Sequence, residues 1–200
     1  MNVLVIGESC RDIYRYGECS RLCPEAPVPV IKLSNEEYSI NPGMAMNVYR
    51  NIASLSDGTI ETAISTNANW ESVNKVRYVD QYISRKHKNT LLDTKKILGD
   101  WCSDIKYIKI NEFEYNRTKH MLDENMNSKM IITLGPNGAK HLDKTYSVPK
   151  VEIKDTSGAG DTFIAALALK YAQTKDIEES IEFANRNATL VVQKKGVSVV

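Results

Sequence analysis

Asp155-Thr156-Ser157-Gly158-Ala159-Gly160-Asp161 is the stretch that decides how this 200-residue chain is read. It follows a strand-like run at 146–153 and leads into an apolar, helix-patterned run at 162–171. Glycines at the mouth of a helix let backbone N–H groups crowd around an anion, and the helix dipole adds favourable potential there. Asp161 carries the wrong charge to bind that anion. It has the right chemistry to take a proton from a hydroxyl lying beside it. An anion nest with an adjacent carboxylate is what phosphoryl transfer to an alcohol requires. A glycine-rich turn with Asp161 as a helix cap is the competing reading, and Gly158-Ala159-Gly160-Asp161 by itself leaves both open.

Composition narrows the field. With 42% hydrophobic residues, the chain can bury a substantial core. A net charge of +1 gives no electrostatic case for nucleic acid or an anionic membrane. No apolar run approaches a membrane span, and the start of the chain enters a strand without a leader pattern, so a cytoplasmic protein is expected. Cys10, Cys19, Cys23 and Cys102 complete no zinc set and read as reduced thiols. His87, His120 and His141 have no ligand spacing and are expected at the surface. The basic run at 85–88 reads as a solvated face.

Along the chain, strands are expected at 2–6, 28–33, 60–65, 73–79, 105–110, 129–134 and 146–153. Helices are expected at 44–55, 90–101, 112–126, 162–171 and 177–194, the first entered through Asn41-Pro42-Gly43. Strands alternating with helices indicate a layered α/β fold, and one domain over 1–200, since no linker or repeat interrupts the pattern.

Read at greater length, the opening stretch and the two residues after it, Thr162 and Phe163, resemble the C-terminal signature of the PfkB, or ribokinase-like, carbohydrate kinases. The phosphate-binding P-loop GxxxxGK[ST] is absent. The resemblance implies a three-layer αβα sandwich with a mostly parallel sheet and a small β lid, at about 12–40 and 72–80. It implies that Gly158, Ala159 and Gly160 form the anion hole and that Asp161 is the general base. Gly7 followed five residues later by Asp12 matches the opening of the family and makes Asp12 a ligand for sugar hydroxyls. A carboxylate binds two hydroxyls well on chemistry alone, although without the family context Asp12 reads first as a helix or turn cap.

The stretch Ser20-Arg21-Leu22-Cys23-Pro24-Glu25-Ala26-Pro27-Val28-Pro29-Val30 is similar to a lid segment of bacterial heptose-phosphate kinases. Pro42-Gly43-Met44-Ala45-Met46-Asn47-Val48 resembles the first family signature, with Gly43 and Asn47 as sugar-binding positions. Met44 stands where that pattern has a second glycine, so the side chain is expected either to enter the sugar pocket or to restrict the backbone. Lys75 and Arg77 resemble a lid strand facing the sugar phosphate, against the alternative of a solvated edge.

Asn111 and Glu114 fit the N-x-x-E motif, which in the family organises waters around magnesium; a helix-capping box has the same spacing. Thr133, Gly135 and Gly138 resemble the turn beside the nucleotide, and Asn185 and Gly196 the segments bracketing adenine. The implied reaction uses ATP and Mg2+, with Glu114 acting on the metal through water, and a sugar or sugar phosphate, a heptose 7-phosphate above others, as acceptor. A silent sugar- or nucleotide-binding protein and a kinase for another sugar stay open, and dimerisation through the lid is the family habit. The resemblance also implies two internal gaps, at 65–73 and 93–105.

Overall fold

The computed structural model describes residues 3–56, 60–65 and 89–200, with backbone alone at 35–37 and 60–65. The expected strand at 73–79, with Lys75 and Arg77, and the basic run at 85–88 lie outside the described residues.

The chain opens with two long strands, β1 (Val3–Leu22) and β2 (Pro29–Met44), paired antiparallel with register shifts between Arg15 and Gly17 and between Glu18 and Arg21. Both far outrun the short strands expected at 2–6 and 28–33. Val5 is buried, whereas the strand beyond Ile13 is largely exposed, so β1 begins in the core and continues as one side of a projecting ribbon. Helix α1 (Ala45–Leu55) follows, then β3 (Ile60–Ser65), which pairs parallel with the first residues of β1.

A second sheet has the order β4 (Leu91–Asp93), β5 (Tyr107–Asn111), β6 (Met130–Thr133), β7 (Ala139–His141) and β8 (Lys144–Tyr146). Its first three strands are parallel and the last two form an antiparallel hairpin. Short helices α2 (Glu112–Thr118) and α3 (Glu124–Ser128) lie between β5 and β6. Two longer helices, α4 (Ala159–Thr174) and α5 (Ile177–Val191), end the fold.

Period-2 alternation builds the layers. Ile108, Ile110, Met130 and Ile132 pack with Leu98, Cys102, Ile105 and Met126 on one face of the second sheet. Ile131, Ala139 and Tyr146 pack with α4 and α5 on the other, against Phe163, Ile164, Leu167, Ile181 and Ala184. Helices on both sides of a partly parallel sheet make the expected three-layer αβα arrangement. Helix α4 is apolar around its circumference, as a helix without a solvent face must be. Its Ala165 and Leu169 pack on Val5 of β1 and Ile52 of α1, so this helix joins the two sheets through one core.

Several expectations change. Residues 90–101 form a three-residue strand and a 3-10 turn at Asp100–Cys102, not a helix. The helix expected at 112–126 is broken by a 3-10 turn at Lys119–Met121, because Asp123 caps a new helix by accepting from the Met126 N–H at 2.7 Å. Residues 147–153 have no regular structure; the strand there is Lys144–Tyr146. His141 is buried, its Nδ1 2.8 Å from the Met130 carbonyl oxygen. All four cysteines are free thiols.

Candidate functional site

Helix α4 starts at Gly158, whose φ of 78° lies in the left-handed region that an L side chain adopts only with strain. A Cβ there would stand 2.8 Å from Asn47 Nδ2 and 3.1 Å from Val197 Cγ1. The turn is therefore closed in by α1 and by the C-terminal segment. The first N–H groups of an α-helix have no partner inside the helix; that of Ala159 donates to the Thr156 carbonyl oxygen at 3.2 Å, and those of Gly160 and Asp161 stand at the turn with the positive end of the dipole.

Asp161 sits in this first turn. Its Oδ2 accepts a hydrogen bond from Asn47 Nδ2 at 3.0 Å. Asn47 is fully buried, and its Oδ1 accepts from Asn51 Nδ2 at 3.2 Å. Asn51 Oδ1 in turn accepts from the Thr162 hydroxyl at 3.1 Å. Four polar side chains thus stitch α1 to α4 in a buried chain. A network of this kind orients its members when all are satisfied. The amide of Asn47, expected to read a sugar hydroxyl, donates to the Asp161 carboxylate. Burial pushes the Asp161 carboxyl above the ordinary carboxylate range, with Asp93 and Asp12 adding to the rise; the Asn47 hydrogen bond and Lys109 oppose it.

The ribbon supplies the facing wall. Asp12 lies opposite Asn41 in the β1–β2 register, with Cys10 opposite Gly43. The Cys10 thiol donates to Asp12 Oδ1 at 3.3 Å. Burial raises the pKa of Cys10, and the neighbouring Asp12 and Asp161 raise it further. A Cβ on the buried Gly43 would collide with the Asp12 carboxylate and the Cys10 sulfur, so only glycine lets the two strands approach here. Asp155 ties down the opening stretch: it accepts from Ser157 N at 2.8 Å and from Gly196 N at 3.0 Å. The Ser157 bonds lower its pKa first, helped by Gly196.

Met44 is the N-cap of α1 and has φ 56°, ψ −132°, a conformation that belongs to glycine. Its side chain is 47% exposed. The departure from the two-glycine pattern therefore acts through the backbone, and the side chain is not a core element.

Two groups were missed at the sequence level. Lys109, read only as part of a lysine-alternating strand, is 7% exposed, and its Nζ lies 2.9 Å from Asp93 Oδ2. A Cβ on Gly160 would stand 3.1 Å from that Nζ, which puts the ammonium beside the first turn of α4. The signal available was the alternation itself: Lys109 shares a face with Tyr107, opposite the buried Ile108 and Ile110.

Among the described residues, the hydrogen bonds of the remaining expected positions run to other partners. Asn111 and Glu114 form a reciprocal capping box: Glu114 N donates to Asn111 Oδ1 at 2.8 Å and Asn111 N to Glu114 Oε2 at 2.9 Å. Among the described residues there is no group of three or more His, Cys, Asp or Glu arranged to hold a metal. One carboxylate with its second oxygen free fits contact with magnesium through water and does not fit a direct cage.

Thr133 donates to the Ile110 carbonyl at 3.4 Å, and Gly135 and Gly138 flank a 3-10 turn. Asn185 is buried and donates to the Tyr146 carbonyl at 2.7 Å, the same carbonyl against which Gly138 packs. These residues shape the turn after β6, and the Asn185 amide is committed to the scaffold.

Residues 110–199 match the pfkB family carbohydrate kinases. The chain is similar over 98% of its length to a ribokinase from Thermotoga maritima, with TM-score 0.71, 15% identity and 94% of that chain covered. An aminoimidazole riboside kinase from Salmonella enterica gives the same TM-score at 14% identity, covering 98% of this chain and 94% of that one. The fold is that of the ribokinases. Residues 110–199 are thus similar in sequence to the PfkB carbohydrate kinases, and the chain as a whole is similar in fold to the ribokinases.

Among curated relatives, the bifunctional protein HldE of Helicobacter acinonychis is 25% identical over 97% of this chain. That of Vibrio vulnificus is 57% identical over a block of 53 residues, 26% of the chain and 11% of the relative. The chain spans 63% of the Helicobacter relative. That alignment occupies 294 positions against 200 residues here, so much of the matched region has no counterpart in this chain.

Proposed function

We propose that this chain transfers the γ-phosphoryl group of ATP to a hydroxyl of a sugar phosphate, with a heptose 7-phosphate as the preferred acceptor. The observation carrying the proposal is the Asp161 carboxylate, held by Asn47 at the glycine-lined start of α4. In the reaction, Asp161 takes the proton from the sugar hydroxyl as its oxygen bonds to the γ-phosphorus. The bond from that phosphorus to the β–γ bridging oxygen breaks, and ADP leaves. The amides at 158–160 hold the developing negative charge. Asp12 and the backbone at Gly43 hold the sugar, and Lys75 and Arg77 its phosphate. Asn111 and Glu114 would hold the waters of magnesium, which would neutralise the nucleotide phosphates; Thr133, Gly135, Gly138, Asn185 and Gly196 shape the nucleotide side. The heptose assignment is supported by the Pro- and Val-rich lid segment at 20–30 and by relatives named bifunctional protein HldE.

The proposed setting is the cytoplasm, with two copies joined through the β1–β2 ribbon. Ile13, Leu22, Ile31, Leu33, Tyr38 and Ile40 are exposed along it. A coupled assay of ADP release across sugar phosphates tests the function. Turnover with heptose 7-phosphate above ribose, fructose and nucleosides is expected; absence of turnover with every acceptor refutes it. The lack of pairing between β3 and β4 among the described residues favours a second reading, a silent binder of sugar or nucleotide. Calorimetric binding of ATP without any turnover would select it.

A further inference from the structure

We propose that Lys109 is a direct ligand for the phosphoryl group at the mouth of α4, a cation built into β5 beside the glycine turn and held ready by Asp93. The proposal rests on the phosphoryl-transfer reading of the same site.

Burying an ammonium costs several kcal/mol unless its charge and donors are answered. Here one answer is visible, the 2.9 Å pair with Asp93 Oδ2. An ammonium has three donors, and Nζ makes no other hydrogen bond among the described residues. Two donors thus have no partner among the described residues, on a side chain that is 8% exposed. Only one cationic side chain is needed to fill the space beside Gly160: a Cβ there would already lie 3.1 Å from Nζ.

The oxygens of an anion seated on the first-turn amides of α4 would come within reach of these donors. The third element is charge. With Asp12, Asp93 and Asp161 all acting on one region, a polyphosphate entering it meets carboxylates, and Lys109 is the cation that opposes them at Asp161. A lysine serving only to neutralise Asp93 would be placed as well on the far side of β4. Lys109 instead stands between Asp93 and the turn, on the face of β5 that looks toward α4.

The ligand class is a polyphosphate or a transferred phosphoryl group, recognised by its oxygens. Charge-assisted hydrogen bonds in a desolvated site change affinity by roughly ten- to a hundredfold. Three variants separate ligand binding from scaffolding: Lys109→Met, Asp93→Asn, and the two combined, which removes both buried charges and keeps the fold accessible should the single lysine change unfold it. Each is titrated calorimetrically with ATP, inorganic tripolyphosphate and adenosine, and its melting temperature is recorded.

The expected result is a loss of roughly ten- to a hundredfold for ATP and tripolyphosphate in Lys109→Met and in the double variant. Adenosine affinity should stay within about twofold, and Asp93→Asn should bind tripolyphosphate at least as tightly as the parent. Parental affinity for tripolyphosphate in Lys109→Met or in the double variant overturns the proposal, as does an equal loss for adenosine in a folded variant. Sugar-dependent turnover that ignores the Lys109 substitution overturns this inference alone. Lys109-dependent tripolyphosphate binding with no turnover on any acceptor upholds it and overturns the kinase reading.

Discussion

Replacing Met44 by glycine is expected to leave the stability of the protein little changed, although a large apolar side chain is removed. The residue holds φ 56°, ψ −132° at the joint between the ribbon and α1. Such a conformation costs an L-residue about 1–3 kcal/mol, which glycine does not incur. Against that, glycine gives the unfolded chain more freedom, about 0.5–1 kcal/mol. Burial of a whole methionine side chain is worth about 1.5–3 kcal/mol, and this one, 47% exposed, stands to lose about half of that. The terms nearly cancel, leaving a change between about −1.5 and +1.75 kcal/mol, or at most about 7 °C in melting temperature for a chain of this size. A core methionine would instead cost about 2–5 kcal/mol.

The sharper comparison is with Met44→Ala, which removes the same contacts and keeps the Cβ that causes the strain. Alanine is ordinarily the more stable of the two residues; here glycine should be better by about 1 kcal/mol or more, helped by its preference at an N-cap. Thermal melts of the parent and both variants decide this. An alanine variant as stable as the glycine variant would refute the backbone argument. Relief of the strain should also let Gly43 and Asp12 settle, so kcat/KM on heptose 7-phosphate is expected to rise in Met44→Gly.

Other expectations follow from the same geometry. Asp161→Asn should lower kcat by about 10²–10⁴-fold with ATP affinity retained, as general-base catalysis requires; near-parental turnover would remove Asp161 from that role. Because the folded Asp161 carboxyl titrates above its unfolded value, its stability contribution is complete in acid and is lost as pH rises through the folded pKa. Asp161→Asn should therefore raise the melting temperature at pH 7 relative to the parent, with the gain shrinking as pH falls through the folded pKa and gone below about pH 4, and the parent's acid rate limb should lie above the ordinary carboxylate range. Asp12→Ala should weaken sugar binding strongly and leave nucleotide affinity within a few-fold, measured by calorimetry; the reverse pattern would move the sugar elsewhere. Leu169→Ala in α4 should cost about 2–5 kcal/mol and lower one cooperative transition, since that helix belongs to both sheets' cores; two separate melts would contradict a shared core.

How far the chain could be read from its letters depended on where each element drew its stability. The helices at 45–55, 159–174 and 177–191 and the strands at 107–111 and 130–133 carry long apolar patterns, and they form where expected. The β7–β8 hairpin was invisible because its turn is Leu142-Asp143, with Leu142 at φ 53°, in place of the Asn-Gly or Asp-Gly pairs that announce such turns. The ribbon strands were underestimated because both of their faces carry polar residues beyond Ile13, which erases the alternation that marks a half-buried strand. In the candidate site the glycine turn, Asp12 and Asp161 were legible as motifs. Asn47 was legible in position and not in role, since its partners Asp161 and Asn51 come from a distant helix and from its own next turn. Lys109 was not legible, because a lysine in an alternating strand reads as solvent-facing until a counter-ion from another strand is known.

The placement of the site explains how it coexists with so much missing sequence. Its parts come from β1, the end of β2, α1, β5 and the start of α4, and so from both sheets, which do not pair with each other among the described residues. A parallel sheet that loses strands from its middle exposes two edges and would ordinarily separate. Here α4 spans the division, with Ala165 and Leu169 turned to β1 and α1 and Ile164 and Leu167 turned to the second sheet. The Asp161–Asn47–Asn51–Thr162 chain fastens its first turn to α1 at the same point. The helix that carries the base is thus also the element that holds the two sheets together. A substitution that loosens α4 should cost stability and proton transfer at once, whereas one confined to the ribbon tip should change neither.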